Sequence, residues 1–357
     1  MYIGSMAARL LHRLVSVYSP TFMEDSAARL LLEEALAMGF DRAYIDPVGN
    51  VRLVKEPPGG GEPGERIALV SHIDTVPGWV EPQLVGGDVV RGRGAVDAKA
   101  PLAAMTVAAS LYEPRERIVE VVAAVGEEGP SHGAWYLVER EGWRTHATII
   151  GEPTNTTKVA IGYRGGCRVR VTCLGEPGHS SSPWLYQSAC SLAVRVYHVA
   201  EELSAPGVQG YTLTVTRLAC GEGGNVVAEE ATVEIDARIP IGRDEADLLN
   251  TLREHLPPQC SVAKASERCL PPVRVPVSSP APRALIRGLL SQGIRAQPVI
   301  KAGTSDMNIL YRVSGSIAAY GPGRSELSHT RYEETTAAEL EIAVKTYLEA
   351  LRHLDQA

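Results

Sequence analysis

Short apolar runs that end in a histidine or a carboxylate constrain this chain more than any other feature. Residues 67–70 lead into Ser71, His72, Ile73 and Asp74, residues 119–125 into Glu127 and Glu128, and residues 147–150 into Gly151, Glu152 and Pro153. Runs this short and apolar suit strands buried on both faces. Between them, residues 26–38 and 102–111 have helical period. Helices alternating with buried strands imply an α/β layer architecture with a largely parallel sheet. Ligands bind such sheets beyond the carboxyl ends of the strands, where these side chains stand.

The pattern changes near residue 160. Residues 162–174, 211–218 and 225–239 read as strands, 188–203 and 244–255 as helices, and 261–269 follows. The order strand, helix, two strands, helix, strand predicts an α+β sandwich of one antiparallel sheet with two helices on one face. A Pro-rich linker at 271–282 returns the chain to its first texture, with a helix, strands at 299–300 and 317–320, and a C-terminal helix from Thr336. The expected organisation is one domain of residues 1–160 and 271–357, with a second domain of residues 161–270 inserted in it. The segment PPGGGEPGE at 57–65 reads as a hairpin loop between two strands.

With 357 residues, 45% of them hydrophobic, the chain can bury two cores. A net charge of −7 with no basic run argues against a nucleic-acid partner. The N-terminal apolar stretch is broken by Arg9, His12 and Arg13, too short and too charged for a signal core or a membrane span. A cytoplasmic protein is therefore expected. The six cysteines, Cys167, Cys173, Cys190, Cys220, Cys260 and Cys269, contain no CxxC pair and are read mainly as buried thiols. An excess of Arg over Lys, with 24 Pro and 2 Phe, fits either genome composition or adaptation to heat, and the second would open the way to a cytoplasmic disulfide.

The strand ends carry the chemistry. His72 and Asp74, two apart on an extended segment, share a face, so Asp74 can hold the imidazole in one tautomer. Asp97 in RGRGAVDAK precedes a helix and is either its cap or a ligand. The adjacent acids Glu127 and Glu128 point oppositely if the segment is extended, one toward a metal and one toward a water as general base. His132, nearby, is set aside. Glu152 follows a third strand, and His329 in PGRSELSHTRYE follows a strand and a glycine-containing loop. Five segments each offering a His, Asp or Glu are the supply pattern of a dinuclear metal site.

The ordered set SHIDTVP, GRGAVDAK, GEEGP, GEPTN, GHSS and the late His329 resembles the acetylornithine deacetylase, succinyl-diaminopimelate desuccinylase and carboxypeptidase family of cocatalytic zinc hydrolases, along essentially the whole chain. The resemblance implies a zinc-hydrolase catalytic domain with a mixed, largely parallel sheet, and a lid at 161–270 that also forms the interface of a homodimer. It implies two divalent ions, zinc or alternatively cobalt. It further implies that Asp97 bridges them, that His72 and Glu152 complete one and Glu128 and His329 the other, and that Glu127 is the base, with Asp74 counted among the catalytic residues. His179 of GHSS reaches in from the other subunit to stabilise the oxyanion. Asn225, Arg238, Gly303, Thr304 and Ser305 resemble positions around a substrate carboxylate, which an arginine fork can bind with two parallel hydrogen bonds. Arg164 is a further candidate or else a solvent-facing lid arginine, and Asp306 reads as packing support.

Within that family the short chain and the KAGTSDMN segment, with Met307 and Asn308, resemble the hydrolases that release lysine or ornithine from the amino-group carrier protein LysW. Those enzymes cut an isopeptide bond to the carrier's terminal glutamate side chain, whereas desuccinylases tend to show Gly and Arg after the SD pair. An N-acyl amino acid deacylase or a dipeptidase is the competing expectation. A non-catalytic binding protein is a third, against which Glu127 argues, since a binder needs no base. An acidic carrier approaching an acidic enzyme needs a basic patch, for which Arg164, Arg168 and Arg170 are candidates.

Overall fold

The acid-ended runs form neighbouring strands. In the computed structural model, which describes residues 2–62 and 65–356, the strands Val119–Ala124, Ile67–His72, Ala147–Gly151 and Ile317–Tyr320 lie side by side in that order. All three pairings are parallel, and every residue in these strands is buried. Antiparallel neighbours flank this parallel centre: Val51–Lys55 then Arg42–Ile45 on one side, and Lys158–Tyr163 on the other. The Ala-rich helix Lys99–Leu111 is buried over most of its length and packs on the sheet. The C-terminal helix Ala337–Asp355 starts at Thr336, whose hydroxyl and Glu339 form a reciprocal cap, and it packs against Lys99–Leu111 and the amphipathic Ile3–Val15.

Two expectations about this sheet are corrected. The segment 57–65, of which residues 63 and 64 lie outside the described residues, is not a hairpin loop, because Val119–Ala124 lies between the strands that it joins. That strand is also not uniformly apolar. Glu120 is 1% exposed inside it, held by Arg52 Nη2 at 2.6 Å, Arg66 Nη1 at 2.8 Å and Trp143 Nε1 at 3.0 Å. A charged group buried this deeply persists only when it is paired and hydrogen-bonded, so Arg52 favours placing Val51–Lys55 next to Val119–Ala124.

The chain divides into two units, Met1–Gly162 with Val275–Val299 and Ser305–Ala357, and Tyr163–Arg274 with Ile300–Thr304. The second unit starts and ends a few residues later than residues 161 and 270, and it also takes in the segment that carries Gly303 and Thr304. Its four-stranded sheet is antiparallel throughout, in the order Thr212–Cys220, Glu230–Ile239, Gly165–Leu174, Cys260–Lys264. Alternate residues of Gly165–Leu174 and Glu230–Ile239 meet the helices Ala189–Leu203 and Glu245–His255 in one apolar core. The cysteines are not free thiols: Cys167–Cys269, Cys173–Cys260 and Cys190–Cys220 are disulfides. Strand register explains one of them, since Cys173 stands directly opposite Cys260. No helix among the described residues is long and apolar enough to cross a membrane.

Candidate metal centre

His72 is the last residue of its strand. Its Nδ1 lies 2.9 Å from the Asp74 carbonyl oxygen, which can only accept, so Nδ1 carries a hydrogen and Nε2 is the nitrogen left to bind a metal once it is unprotonated. That nitrogen faces Asp97 Oδ1 at 3.2 Å, Glu127 Oε2 at 4.0 Å and Glu152 Oε1 at 4.0 Å. His329 Nε2 lies 2.7 Å from Glu128 Oε1 and 3.4 Å from Asp97 Oδ2. Asp97 thus stands between the two imidazoles with one oxygen toward each. Three overlapping sets, His72 with Asp97 and Glu152, Asp97 with Glu128 and His329, and His72 with Glu127 and Glu128, each bring one ligand atom per residue within 4.8 Å of the others.

Local structure explains how they meet. Asp97 does not cap the helix that follows; Ala98 takes the cap position, and the Asp97–Ala98 peptide is cis. Glu127 and Glu128 are not on extended backbone, as expected from the sequence, because the strand stops at Ala124 and Gly126, at φ 76°, opens a turn closed by Ser131 N donating to Gly126 O at 2.6 Å. What distinguishes them is their partners and not strand alternation. The Asp74 carboxylate likewise does more than orient His72. It accepts the N–H groups of Glu127 and Glu128, both at 3.1 Å, and the Thr21 hydroxyl at 2.7 Å, so it fastens the turn to the neighbouring strand end.

The electrostatics favour a cation. Burial pushes Glu127 well above the usual carboxylate range; His72 opposes this, while Glu152, Asp306 and Glu128 add to it. Burial also raises Asp306 to about 7, and its Oδ1 has no hydrogen-bond partner. Asp97 is held low despite its burial, because His329 and His72 bond to it. Burial works against a proton on His72, yet bonds to Asp74 and Asp97 raise it well above its ordinary value, and His329 is raised to about 10 by Asp97 and Glu128. Carboxylates outnumber imidazoles here, and the hard oxygen and imidazole donors fit divalent ions.

The remaining expected residues fall in other groups. Ser305 is buried and shapes its own turn, donating from its N–H to Asn308 Oδ1 at 2.9 Å. In the second unit, exposed His179 and Asn225 pair loosely, with Nε2 and Nδ2 3.5 Å apart. Arg238 donates to Thr304 Oγ1 at 3.2 Å and to Asp236 Oδ2 at 2.9 Å, beside exposed Gly303. Arg164 is neither a surface cation nor part of an open patch; it is 4% exposed and donates to the carbonyls of Ala302 and Gly207 and to Thr212 Oγ1. Arg168 and Arg170 are exposed, but Arg170 pairs with Glu234 at 3.1 Å. His132 stacks on Phe22 and packs against Gly126, under the turn that carries Glu127.

Three residues escaped the sequence reading. Thr21 anchors Asp74, buried Lys99 donates to the carbonyls of Leu14 and Val17 and is lowered to about 7 by burial, and Glu333 binds the loop that carries Asp97. Lys99 lies inside the GRGAVDAK block and Glu333 four residues after His329. Those spacings are the only local signals that distinguish them.

The sequence pattern of peptidase family M20/M25/M40 matches residues 68–353, a span that contains every residue of the cluster. The chain belongs to this family. It is accordingly a metal-dependent hydrolase. This M20 chain is 36% identical over 357 residues to a LysW-lysine/LysW-ornithine hydrolase of Saccharolobus islandicus, covering 99% of this chain and 97% of that one. It is 37% identical over 359 residues to a putative enzyme of the same description from Aeropyrum pernix, covering 98% and 96%. Among solved structures the fold matches aminopeptidase PepT of Bacillus cereus with a TM-score of 0.82 at 19% identity, covering 98% of each chain. An M20 family metallo-carboxypeptidase of Sulfolobus solfataricus matches with a TM-score of 0.75 at 17% identity, covering 98% and 99%.

Proposed function

We propose that this M20 chain releases lysine or ornithine from the carrier protein LysW by hydrolysing the amide bond that joins them. Full-length likeness to enzymes of that description carries the choice of substrate, and the three overlapping ligand sets carry the chemistry. Asp97 is read as the bridge between two divalent ions, with His72 and Glu152 on one and Glu128 and His329 on the other. Zinc suits these ligands, and cobalt is the alternative. Such ions supply Lewis acidity to the scissile carbonyl and to the attacking water.

The chain's own residues do the rest. Glu127, half-buried beside the ligands, takes a proton from water as the C–O bond forms and passes it to the departing amine as the C–N bond breaks. Asp74 keeps Glu127 and Glu128 in place through their backbone N–H groups. Arg238, Asn225, Gly303, Thr304 and Ser305 are assigned to the carboxylate of the released amino acid, and His179 to the oxyanion of a second copy in a homodimer, with the second unit as lid. The protein is read as cytoplasmic, with no nucleic-acid or membrane partner. Offering the purified enzyme LysW-linked lysine, LysW-linked ornithine, acetylornithine, succinyl-diaminopimelate and simple dipeptides, and measuring free amine, tests the reading. Release from carrier-linked substrates is expected; turnover of the small substrates alone would replace it with a deacylase or dipeptidase.

A further inference from the structure

We propose that Glu333 is a positioning residue that locks the Asp97 loop and the His329 loop into one frame and thereby sets the spacing of the two metal positions. The inference rests on the dinuclear reading above. Glu333 is 1% exposed and touches none of the ligand side chains through its carboxylate. Its Oε2 accepts the backbone N–H groups of Gly94 at 3.0 Å, Val96 at 3.2 Å and Asp97 at 3.3 Å. Its Oε1 lies 2.5 Å from Arg93 Nη1, and the same nitrogen donates to Thr330 O at 2.9 Å, next to His329.

The geometry explains why the site needs such a group. His72 sits on a buried strand and has a rigid mount, but Asp97 lies on a turn and His329 on a loop at φ 66°. Buried N–H groups of a turn have no ladder to satisfy them, and here one carboxylate satisfies three, including that of Asp97 itself. Glu333 lies four residues after His329, and the strand it precedes, Glu334–Thr336, pairs with Val89–Arg91 just before the Asp97 loop. Thr335 Oγ1 adds a bond to Ala95 O at 2.5 Å. The two turn-borne ligand candidates are therefore referenced to each other through Glu333, an arrangement by which an outer group fixes ligand orientation.

A neutral amide cannot replace it, because every neighbour of both oxygens is a donor and an NH2 group would face one of them. Metal-free protein should be titrated with Zn2+ by calorimetry for the wild type, Glu333→Gln and Glu333→Ala, with Glu120→Gln as a control of equal burial outside the cluster. Two ions are expected in the wild type, with affinity ten- to a hundredfold weaker, on the order usual for such outer partners, in both Glu333 variants and unchanged in the control. Hydrogen exchange supplies an independent readout: the amides of Gly94, Val96 and Asp97 should be protected in the wild type and exchange faster in Glu333→Gln. Wild-type affinity in both folded variants, or wild-type amides that exchange as an open loop does, would overturn the proposal. If Glu333→Ala does not fold, Glu333→Gln and the wild-type exchange still decide. A wild type that binds a single ion would instead overturn the dinuclear reading, and Glu333 would then be judged on that ion's affinity and on exchange.

Discussion

On the proposed reading, single residues at the strand ends divide the chemistry among themselves by their partners. Glu128 lies 2.7 Å from His329, whereas Glu127 approaches His72 at 4.0 Å, so Glu127→Gln should retain both ions while turnover falls roughly a hundred- to ten-thousandfold. Glu128→Gln should lose an ion, and metal analysis beside steady-state rates would expose a reversal of the two roles. Protons give a second test. His329 holds a proton up to about pH 10 without metal and His72 is raised as well, so each must shed it to become a ligand. Metal affinity should therefore climb with pH, with protons released on binding, as buffers of different ionisation enthalpy would report. The metal-free fold runs the other way. A raised histidine pKa stabilises it fully below the unfolded value near 6.5, and that contribution fades as pH rises toward about 10. The ligand candidates were legible in the sequence because each follows an apolar run or a glycine turn. Glu333 and Thr21 were not, because their importance lies in backbone N–H groups and carboxylates that are remote along the chain.

Whole elements were legible where period and length coincide, and illegible where pairing is remote. The helices Lys99–Leu111 and Ala337–Asp355 and the strand Ile317–Tyr320 follow from local pattern alone. The insertion of Val119–Ala124 between Val51–Lys55 and Ile67–His72 does not, since a turn-rich connection reads the same in a hairpin and in a crossover. Arg52 and Glu120 were the missed clue, one charge inside each of two adjacent strands, 1% exposed each. Removing one member of a buried pair leaves the other uncompensated, so Glu120→Ala should lower unfolding stability by about 3–5 kcal/mol in denaturant titration. An Arg52→Met/Glu120→Leu double variant should recover part of that loss, because the two most deeply buried charges leave together and the partners left behind, Arg66 and Glu141, reach solvent. A single-variant loss within about 0.5 kcal/mol, the range of an ordinary surface change, would mean that the ion network does not hold these strands together.

At the scale of the molecule, all six cysteines are used inside the second unit, and composition gave no hint of which sulfur would meet which. Removing a native disulfide typically costs about 2–5 kcal/mol, less than additively when cross-links share a loop. Calorimetry with and without reductant should accordingly show the transition of the second unit lowered by more than that of the metal-loaded first unit. A trace unchanged by reductant, with free thiols demonstrated, would contradict the pairing. The bridges are also nested: Cys167–Cys269 encloses Cys173–Cys260, which encloses Cys190–Cys220. The outermost one clasps the insertion near its neck, a few residues after the chain leaves the first unit at Gly162 and before it returns at Val275. Once that clasp has closed, the polymer that the first unit must span to bring its halves together shrinks from roughly a hundred residues to about a dozen. By the logarithmic dependence of loop closure on length this relieves about 2 kcal/mol of chain entropy. The inserted domain then weighs on the folding of its host no more than a short surface loop does, whatever sequence it carries inside the clasp.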